Sequence, residues 1–205
     1  MRYTPVPQTL IDSIKAHLGD AFVKSETVQG QSRVTIKRDA VRKALTFLKT
    51  HRDIPFEQLS DVAGADLDQL PGRDDEAGED RFLIWYLLTS MSKNQRLVLR
   101  TTVPEDDAKV ESAYVVYKSA AWCEREAWEM FGIDFVGHPD LRRLLTPDYF
   151  DENNQHPLRK DYPLKGIGDR YNFPVYDPAT ELDLTRFGYA GDEHGNPPEG
   201  GPPKV

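Results

Sequence analysis

Residues 81–103 read RFLIWYLLTSMSKNQRLVLRTTV, and the fold turns on them. Arg81–Leu88 holds the densest apolar run in the chain, and at this length the run fits a central strand covered on both faces. Arg96–Val103 alternates instead, with Leu97, Leu99 and Val103 on one side and Arg100 and Thr102 on the other. That pattern describes a strand with one covered face, paired with its predecessor through Thr89–Gln95.

Upstream, Leu10, Ile11, Ile14 and Leu18 recur at helical spacing and Gly19 stands at the stop position, which predicts a helix over about residues 7–18. Two β-prone runs come next, Phe22–Val28 and Arg33–Lys37, joined through Gln29-Gly30 as in a hairpin. Asp39 is placed to cap a second helix whose apolar stripe is Val41, Ala44, Leu45 and Leu48. Phe56–Val62 reads as another strand, and the polar stretch Pro71–Asp80 as an exposed loop. The order α-β-β-α-β-β-β predicts an α+β fold, a small α/β domain with a largely antiparallel sheet flanked by helices.

The composition changes after residue 146. Residues 163–205 contain 7 of the 15 prolines and 7 of the 14 glycines, positions that resist regular structure. Residues 147–205 carry 6 basic and 11 acidic side chains, net -5 of the chain's -8. The expectation is a domain over 1–146 and an extended Pro/Gly-rich C-terminal arm over 147–205, flexible over 189–205 when isolated. Tyr162, Tyr171, Phe173, Tyr176, Leu182, Leu184 and Phe187 are interspersed along it. Such spacing suits a segment that lies across another protein.

Other arithmetic restricts function. The acidic balance of 26 Lys+Arg against 34 Asp+Glu argues against nucleic acid as a partner. The single Cys123 excludes a disulfide framework and a self-contained iron–sulfur cluster, which needs about four thiolates. The longest apolar run, Phe82–Leu88, falls far short of the roughly 20 residues of a membrane-spanning helix. Met1–Gln8 lacks the pattern of a signal peptide, so a soluble protein that reaches a membrane only through partners is expected.

The most informative helix is Ser119–Gly132, SAAWCEREAWEMFG. At about 100° per residue, Ala120, Cys123, Ala127, Trp128, Met130 and Phe131 form one apolar arc. Glu124 projects inside that arc, Glu126 lies at its edge, and Arg125 and Glu129 point the other way. A carboxylate in an apolar face must be paired, accept hydrogen bonds or hold a proton. Two later runs supply cations: Gly137-His138-Pro139-Asp140-Leu141-Arg142-Arg143 and His156-Pro157-Leu158-Arg159-Lys160-Asp161-Tyr162-Pro163. Glu124, with Glu126, is therefore expected to anchor Arg142, Arg143 or Arg159 and pin the arm to the domain.

A metal or acid–base site of Glu124, Glu126, Glu129, His138 and His156 is the rival, disfavoured because these glutamates do not share a helix face and no ligand-pair spacing occurs. His17 and His51 read as local caps, and His194 as a solvated tail residue. Gly166-Ile167-Gly168 starts like a dinucleotide loop, but Tyr171 stands at the third glycine's place. Cys123 reads as packed rather than reactive. No catalytic, cofactor-binding or metal residue is assigned.

EREAWEMFGIDF, GHPDLRRLLTP and HPLRKDYPL closely resemble the signature of the C-subunit family of proton-pumping NADH:quinone oxidoreductase, respiratory complex I. Glu129 stands where that family usually has Asp, and Gln155 where a Gly commonly precedes HPLRKDYP. The resemblance implies a non-catalytic structural subunit of the peripheral-arm quinone module, on the cytoplasmic side of the bacterial inner membrane and peripheral to it. It implies partners in a hydrogenase-large-subunit-like protein and a small iron–sulfur subunit, with FMN, iron–sulfur clusters and quinone on other subunits and no cofactor on this chain. Interface or structural roles are thereby implied for Glu124, Arg125, Glu126, His138, Pro139, Arg142, Arg143, Pro157, Arg159, Lys160, Asp161, Tyr162 and Pro163. The alternatives are the equivalent subunit of a photosynthetic NDH-type complex or membrane-bound hydrogenase and, from another class, a free-standing carboxylate/His metal enzyme.

Overall fold

Alternation along the Phe82–Ser90 strand places Phe82, Ile84, Tyr86 and Leu88 wholly inside. The computed structural model describes residues 4–68, 80–147, 150 and 155–163. The chain divides into two units, Met1–Tyr162 and Pro163–Val205, and all the described residues except Pro163 belong to the first. The expected arm aromatics beyond Tyr162, the tail 189–205, His194, Gly166-Ile167-Gly168 and most of the Pro71–Asp80 loop lie outside the described residues.

The elements in order are α1 (Gln8–Leu18), β1 (Phe22–Val28), β2 (Gln31–Ile36), α2 (Val41–Lys49), β3 (Gln58–Asp66), β4 (Phe82–Ser90), β5 (Gln95–Val103), β6 (Lys109–Glu111), α3 (Ala120–Phe131) and β7 (Asp134–Val136). Five strands form one sheet in the order β1-β2-β5-β4-β3, while β6 and β7 form a small parallel pair. Within the large sheet only β2 and β5 run parallel, so the α+β, largely antiparallel reading holds. Gln29 and Gly30 both take positive φ, 51° and 80°, the twist that a two-residue hairpin requires.

Helices α1 and α2 cover one face of the sheet. Leu10, Ile14, Val41, Leu45 and Leu48 join Val34, Ile36, Phe82, Ile84, Tyr86, Leu88, Leu97, Leu99 and Val103 in one buried cluster. The opposite face is only half covered: Leu83, Trp85 and Leu87 are partly exposed, whereas the apolar run predicts a doubly buried β4. β3 starts two residues later and runs further than its predicted span.

Asp39 does not cap α2. A 3-10 turn over Arg38–Ala40 precedes that helix, so Asp39 sits within the turn, exposed and 3.8 Å from Arg38. His17 stacks on Phe47 at 4.2 Å, while His51 Nδ1 accepts the Ile54 amide at 3.2 Å and closes the loop after α2.

α3 packs along the edge strand β3. The Ser119 hydroxyl donates to the Leu59 carbonyl at 2.9 Å, and Gly64 lies so close to Phe131 that a Cβ there would meet the ring at 2.6 Å. A helix against an edge strand occupies backbone groups that another chain could otherwise pair with. Among the described residues, no helix is long and apolar enough to cross a membrane.

Candidate functional site

The signature residues gather around α3, and the described residues of 138–158 line its polar side. Gly132 ends the helix at φ 77°, donating its amide to the Trp128 carbonyl at 2.7 Å. The last carbonyls of a helix have no partner within it. Here the chain supplies them: His156 Nδ1 donates to the Glu129 carbonyl at 2.9 Å, and the Leu158 amide to the Met130 carbonyl at 3.1 Å. A Cβ on Gly132 would stand 2.7 Å from His156 Nε2, so the glycine serves the left-handed turn and this contact together. Burial pushes the His156 imidazole down, helped by the charges of Arg159 and Arg143 against the bond to the Glu129 carbonyl.

Two carboxylates of α3 are fully buried, and their environments differ. Glu124 accepts the Ser112 hydroxyl and the Ala113 amide, both at 2.6 Å. Burial outweighs those two bonds and pushes its carboxyl up to about 7. The expected pairing of Glu124 with Arg142, Arg143 or Arg159 does not occur, because the helix turns its carboxyl toward Ser112 and Ala113 in the turn after β6. The buried Tyr86 phenol beside it is raised well above its ordinary value, first by burial and then by the charge of Glu124.

Glu129 does the anchoring instead. Its carboxylate accepts the Leu144 amide at 2.7 Å, the Leu145 amide at 3.0 and 3.1 Å, and both the amide and hydroxyl of Thr146. Burial alone would raise this carboxyl, but the Thr146 hydroxyl and three successive amides outweigh it and hold it below the ordinary range. Arg125 is the second anchor. Its guanidinium donates to the carbonyls of Arg142 at 2.8 Å and Arg143 at 2.9 Å. The helical wheel turns Arg125 and Glu129 away from packed surface, yet both are buried, because residues 142–146 and 155–158 lie over that side.

The remaining signature residues divide by exposure. His138 Nε2 reaches the Ala121 carbonyl at 3.0 Å while Nδ1 accepts the Asp140 amide, which fixes the proton on Nε2. Arg143 donates to the Thr146 hydroxyl and the Gln155 carbonyl and lies over the Trp128 and Phe150 rings, each at 5.6 Å. Tyr162 stacks on Phe150 with centroids 6.4 Å apart, and Pro157 is half-buried. Glu126, Pro139, Arg142, Lys160 and Pro163 are exposed to solvent. Glu126 rims a groove of about 240 Å³ shared by β3, α3 and Leu158.

A second anchoring centre escaped the sequence. Asp66, at the end of β3, takes a two-pronged contact from Arg81, Nε at 3.1 Å and Nη2 at 2.8 Å, and the Lys160 amide at 2.8 Å. Arg81 also reaches Glu105 at 2.5 Å and Asp161 at 3.2 Å, and Arg159 joins the same Glu105 at 2.6 Å. Burial would raise the Asp66 carboxyl, but Arg81 and the amides of Lys160 and Asp68 hold it below its ordinary value. Arg81 and Lys160 lie 15 and 94 residues from Asp66, so no local spacing announces them.

Among the described residues, no group of three or more His, Cys, Asp or Glu side chains is arranged to hold a metal ion. Burial raises the Cys123 thiol, and its Sγ lies 3.9 Å from the Ser119 carbonyl. What the site offers is a surface. Trp122, Leu145 and Leu158 stand exposed on and around α3, with Arg142 and Lys160 nearby in the same two signature runs.

Comparison with known proteins adds four findings. A family model described as "Respiratory-chain NADH dehydrogenase, 30 Kd subunit" matches residues 34–167. The C subunit of NADH-quinone oxidoreductase from Paramagnetospirillum magneticum is 43% identical over 155 residues, 73% of this chain and 72% of that protein. The C/D subunit of NADH-quinone oxidoreductase from Chromohalobacter salexigens is 39% identical over 184 residues, 89% of this chain; the chain spans only 30% of that longer relative. The solved structure of the trypsin-resistant fragment (1-134) of Nqo5 superposes with a TM-score of 0.56 at 26% identity, over 65% of this chain and 98% of that fragment.

Proposed function

The chain belongs to the family of the respiratory-chain NADH dehydrogenase 30 kDa subunit, to which the C subunit of NADH-quinone oxidoreductase corresponds, and from that premise we propose that it is a structural subunit supporting electron transfer from NADH to quinone. In this reading it sits in the peripheral-arm quinone module of a proton-translocating complex, on the cytoplasmic side of the bacterial inner membrane. FMN, iron–sulfur clusters and quinone are held by other subunits. The work of this chain is contact, and the residues that do it are the exposed members of the α3 platform: Trp122, Arg142, Leu145, Leu158 and Lys160.

The observation that carries this reading is the way α3 spends its buried polar groups. Arg125, Glu129 and the helix C-terminal carbonyls are all committed to holding residues 142–146 and 156–158 in place. Holding a loop so firmly while leaving Trp122, Leu145 and Leu158 in solvent suits a surface that another protein covers. The D-type subunit, hydrogenase-large-subunit-like, is the partner of choice. In the C/D relative both parts share one chain, which supports their adjacency here. A small iron–sulfur subunit is the second expected neighbour.

The experiment is purification of the tagged chain from membranes solubilised in mild detergent, with identification of everything that comes with it. Recovery of the D-type and small iron–sulfur subunits is expected. Recovery as a lone monomer would overturn the reading.

A further inference from the structure

Asp66 and Arg81 are among the most buried charged residues of the chain, and both belong to the sheet region rather than to the signature. Their contacts point outward from it. Of the four contacts to the Asp66 carboxylate, two come from Arg81, one from the Asp68 amide and one from the Lys160 amide, 94 residues away. Arg81 spends its remaining capacity on Glu105 and on Asp161. Arg159 closes the ring by reaching Glu105 at 2.6 Å and Asp161 at 3.4 Å, and both guanidinium groups stand over the Phe82 ring at 5.2 Å.

A buried carboxylate aimed at a backbone amide fixes position more tightly than one aimed at a flexible side chain. An amide has no rotamers with which to follow a displaced partner. The planar fork of Arg81 fixes Asp66 in turn, because a two-pronged contact admits one orientation. The segment Arg159–Tyr162 is therefore held by the end of β3 and the start of β4, independently of the Glu129 anchor on α3. Its local backbone support is two successive turns, the Arg159 amide on the His156 carbonyl at 3.2 Å and the Tyr162 amide on the Arg159 carbonyl at 3.1 Å, too short a run to persist alone.

We propose that Asp66 and Arg81 form a latch that sets Arg159–Tyr162 in place in the free chain, so that the signature segment is presented to its partner preformed instead of ordering on contact. The positioning role rests on the subunit reading above; the latch itself does not. A segment ordered beforehand spares the complex the cost of ordering it, and that cost reappears as weaker binding once the latch is opened.

The test uses the isolated full-length chain and a synthetic peptide of residues 155–163. Trypsin cleavage after Arg159 and Lys160, and exchange of the Lys160 amide, are followed in both. The wild-type chain is expected to resist both at least about 10-fold better than the peptide. Asp66→Asn is expected to lose most of that protection. Asp161→Asn keeps the Asp66–Arg81 contact, so its melting temperature stays put while protection falls about 3-fold. Binding of the purified D-type subunit is expected to weaken about 10-fold in Asp66→Asn and by a smaller factor in Asp161→Asn.

A wild-type segment cleaved as fast as the peptide, or one still protected in Asp66→Asn, overturns the latch. Release of the segment in both variants with undiminished partner affinity overturns the positioning role. Failure of the wild-type chain to bind the D-type subunit while protection is intact counts against the subunit reading and not against the latch.

Discussion

The five-stranded sheet and the wrap formed by residues 137–147 and 155–162 are held by opposite kinds of contact. The sheet is held by apolar burial: Phe82, Ile84, Tyr86, Leu88, Leu97 and Leu99 are all fully enclosed. The wrap has little apolar burial of its own; Leu145 and Leu158 are exposed, and it is fixed by Glu129, Arg125, His156 and the Asp66–Arg81 pair. Apolar contacts are numerous and tolerant, so they build a scaffold that fails as a whole. Charged anchors are few and directional, so a wrap built from them should come loose one anchor at a time.

The largest effect belongs to the scaffold. Phe82→Ala, at a position with no exposure, should cost about 3–5 kcal/mol by urea denaturation and lower sheet and wrap together. A variant that loosened the wrap and left the sheet's stability unchanged would break the distinction.

Glu124 comes next, and its effect depends on pH. Its carboxyl is raised from the ordinary 4.5 to about 7, so between those values the folded chain holds a proton that the unfolded chain has released. Stability from this group is therefore greatest below about pH 4.5, falls by about 3 kcal/mol as pH rises to 7, and is level above it. Glu124→Gln imitates the protonated form and should flatten that slope in urea titrations at several pH values. An unaltered slope would show that the burial of Glu124 is not felt as a proton affinity.

Two wrap variants are smaller. Gly132→Ala must hold φ near 77° and push His156 aside, a cost of about 1–2 kcal/mol read most clearly as faster exchange of the Leu158 amide. Arg142→Ala, at an exposed side chain whose ion pair is with Asp140, should change stability by less than about 0.5 kcal/mol and still weaken partner binding. Equal weakening of both would remove Arg142 from the contact surface.

Most of the scaffold was legible because its signals are local. The alternation of β5, the positive-φ pair Gln29-Gly30, the stripe of α1 and the glycine that ends α3 each sit within a few residues of what they specify. The site was legible only in part. The helical wheel found Glu124 inside the apolar arc, but a wheel shows one layer of packing. It put Arg125 and Glu129 on the solvent side because the chain that covers them comes later. The signal for Glu129 was its place in the signature, where the family pattern has another carboxylate. Nothing local could pair Asp66 with Arg81 or bring Lys160 to them. Such contacts are decided by where strand ends meet after folding.

The most direct test sets Glu129→Gln against the wild-type chain in two readings of one preparation: amide exchange across the whole chain, and the amount of D-type subunit recovered with it from mild-detergent extracts. Removing the charge leaves the amides of Leu144, Leu145 and Thr146 facing a weaker acceptor, at a cost of about 1–3 kcal/mol confined to the wrap. The account predicts fast exchange over residues 144–146, protected amides in β4, β5 and at Lys160, and recovery of the D-type subunit reduced at least about 10-fold. Undiminished recovery with residues 144–146 exchanging freely would contradict it, because the surface fixed by Glu129 would then not be the one the partner reads.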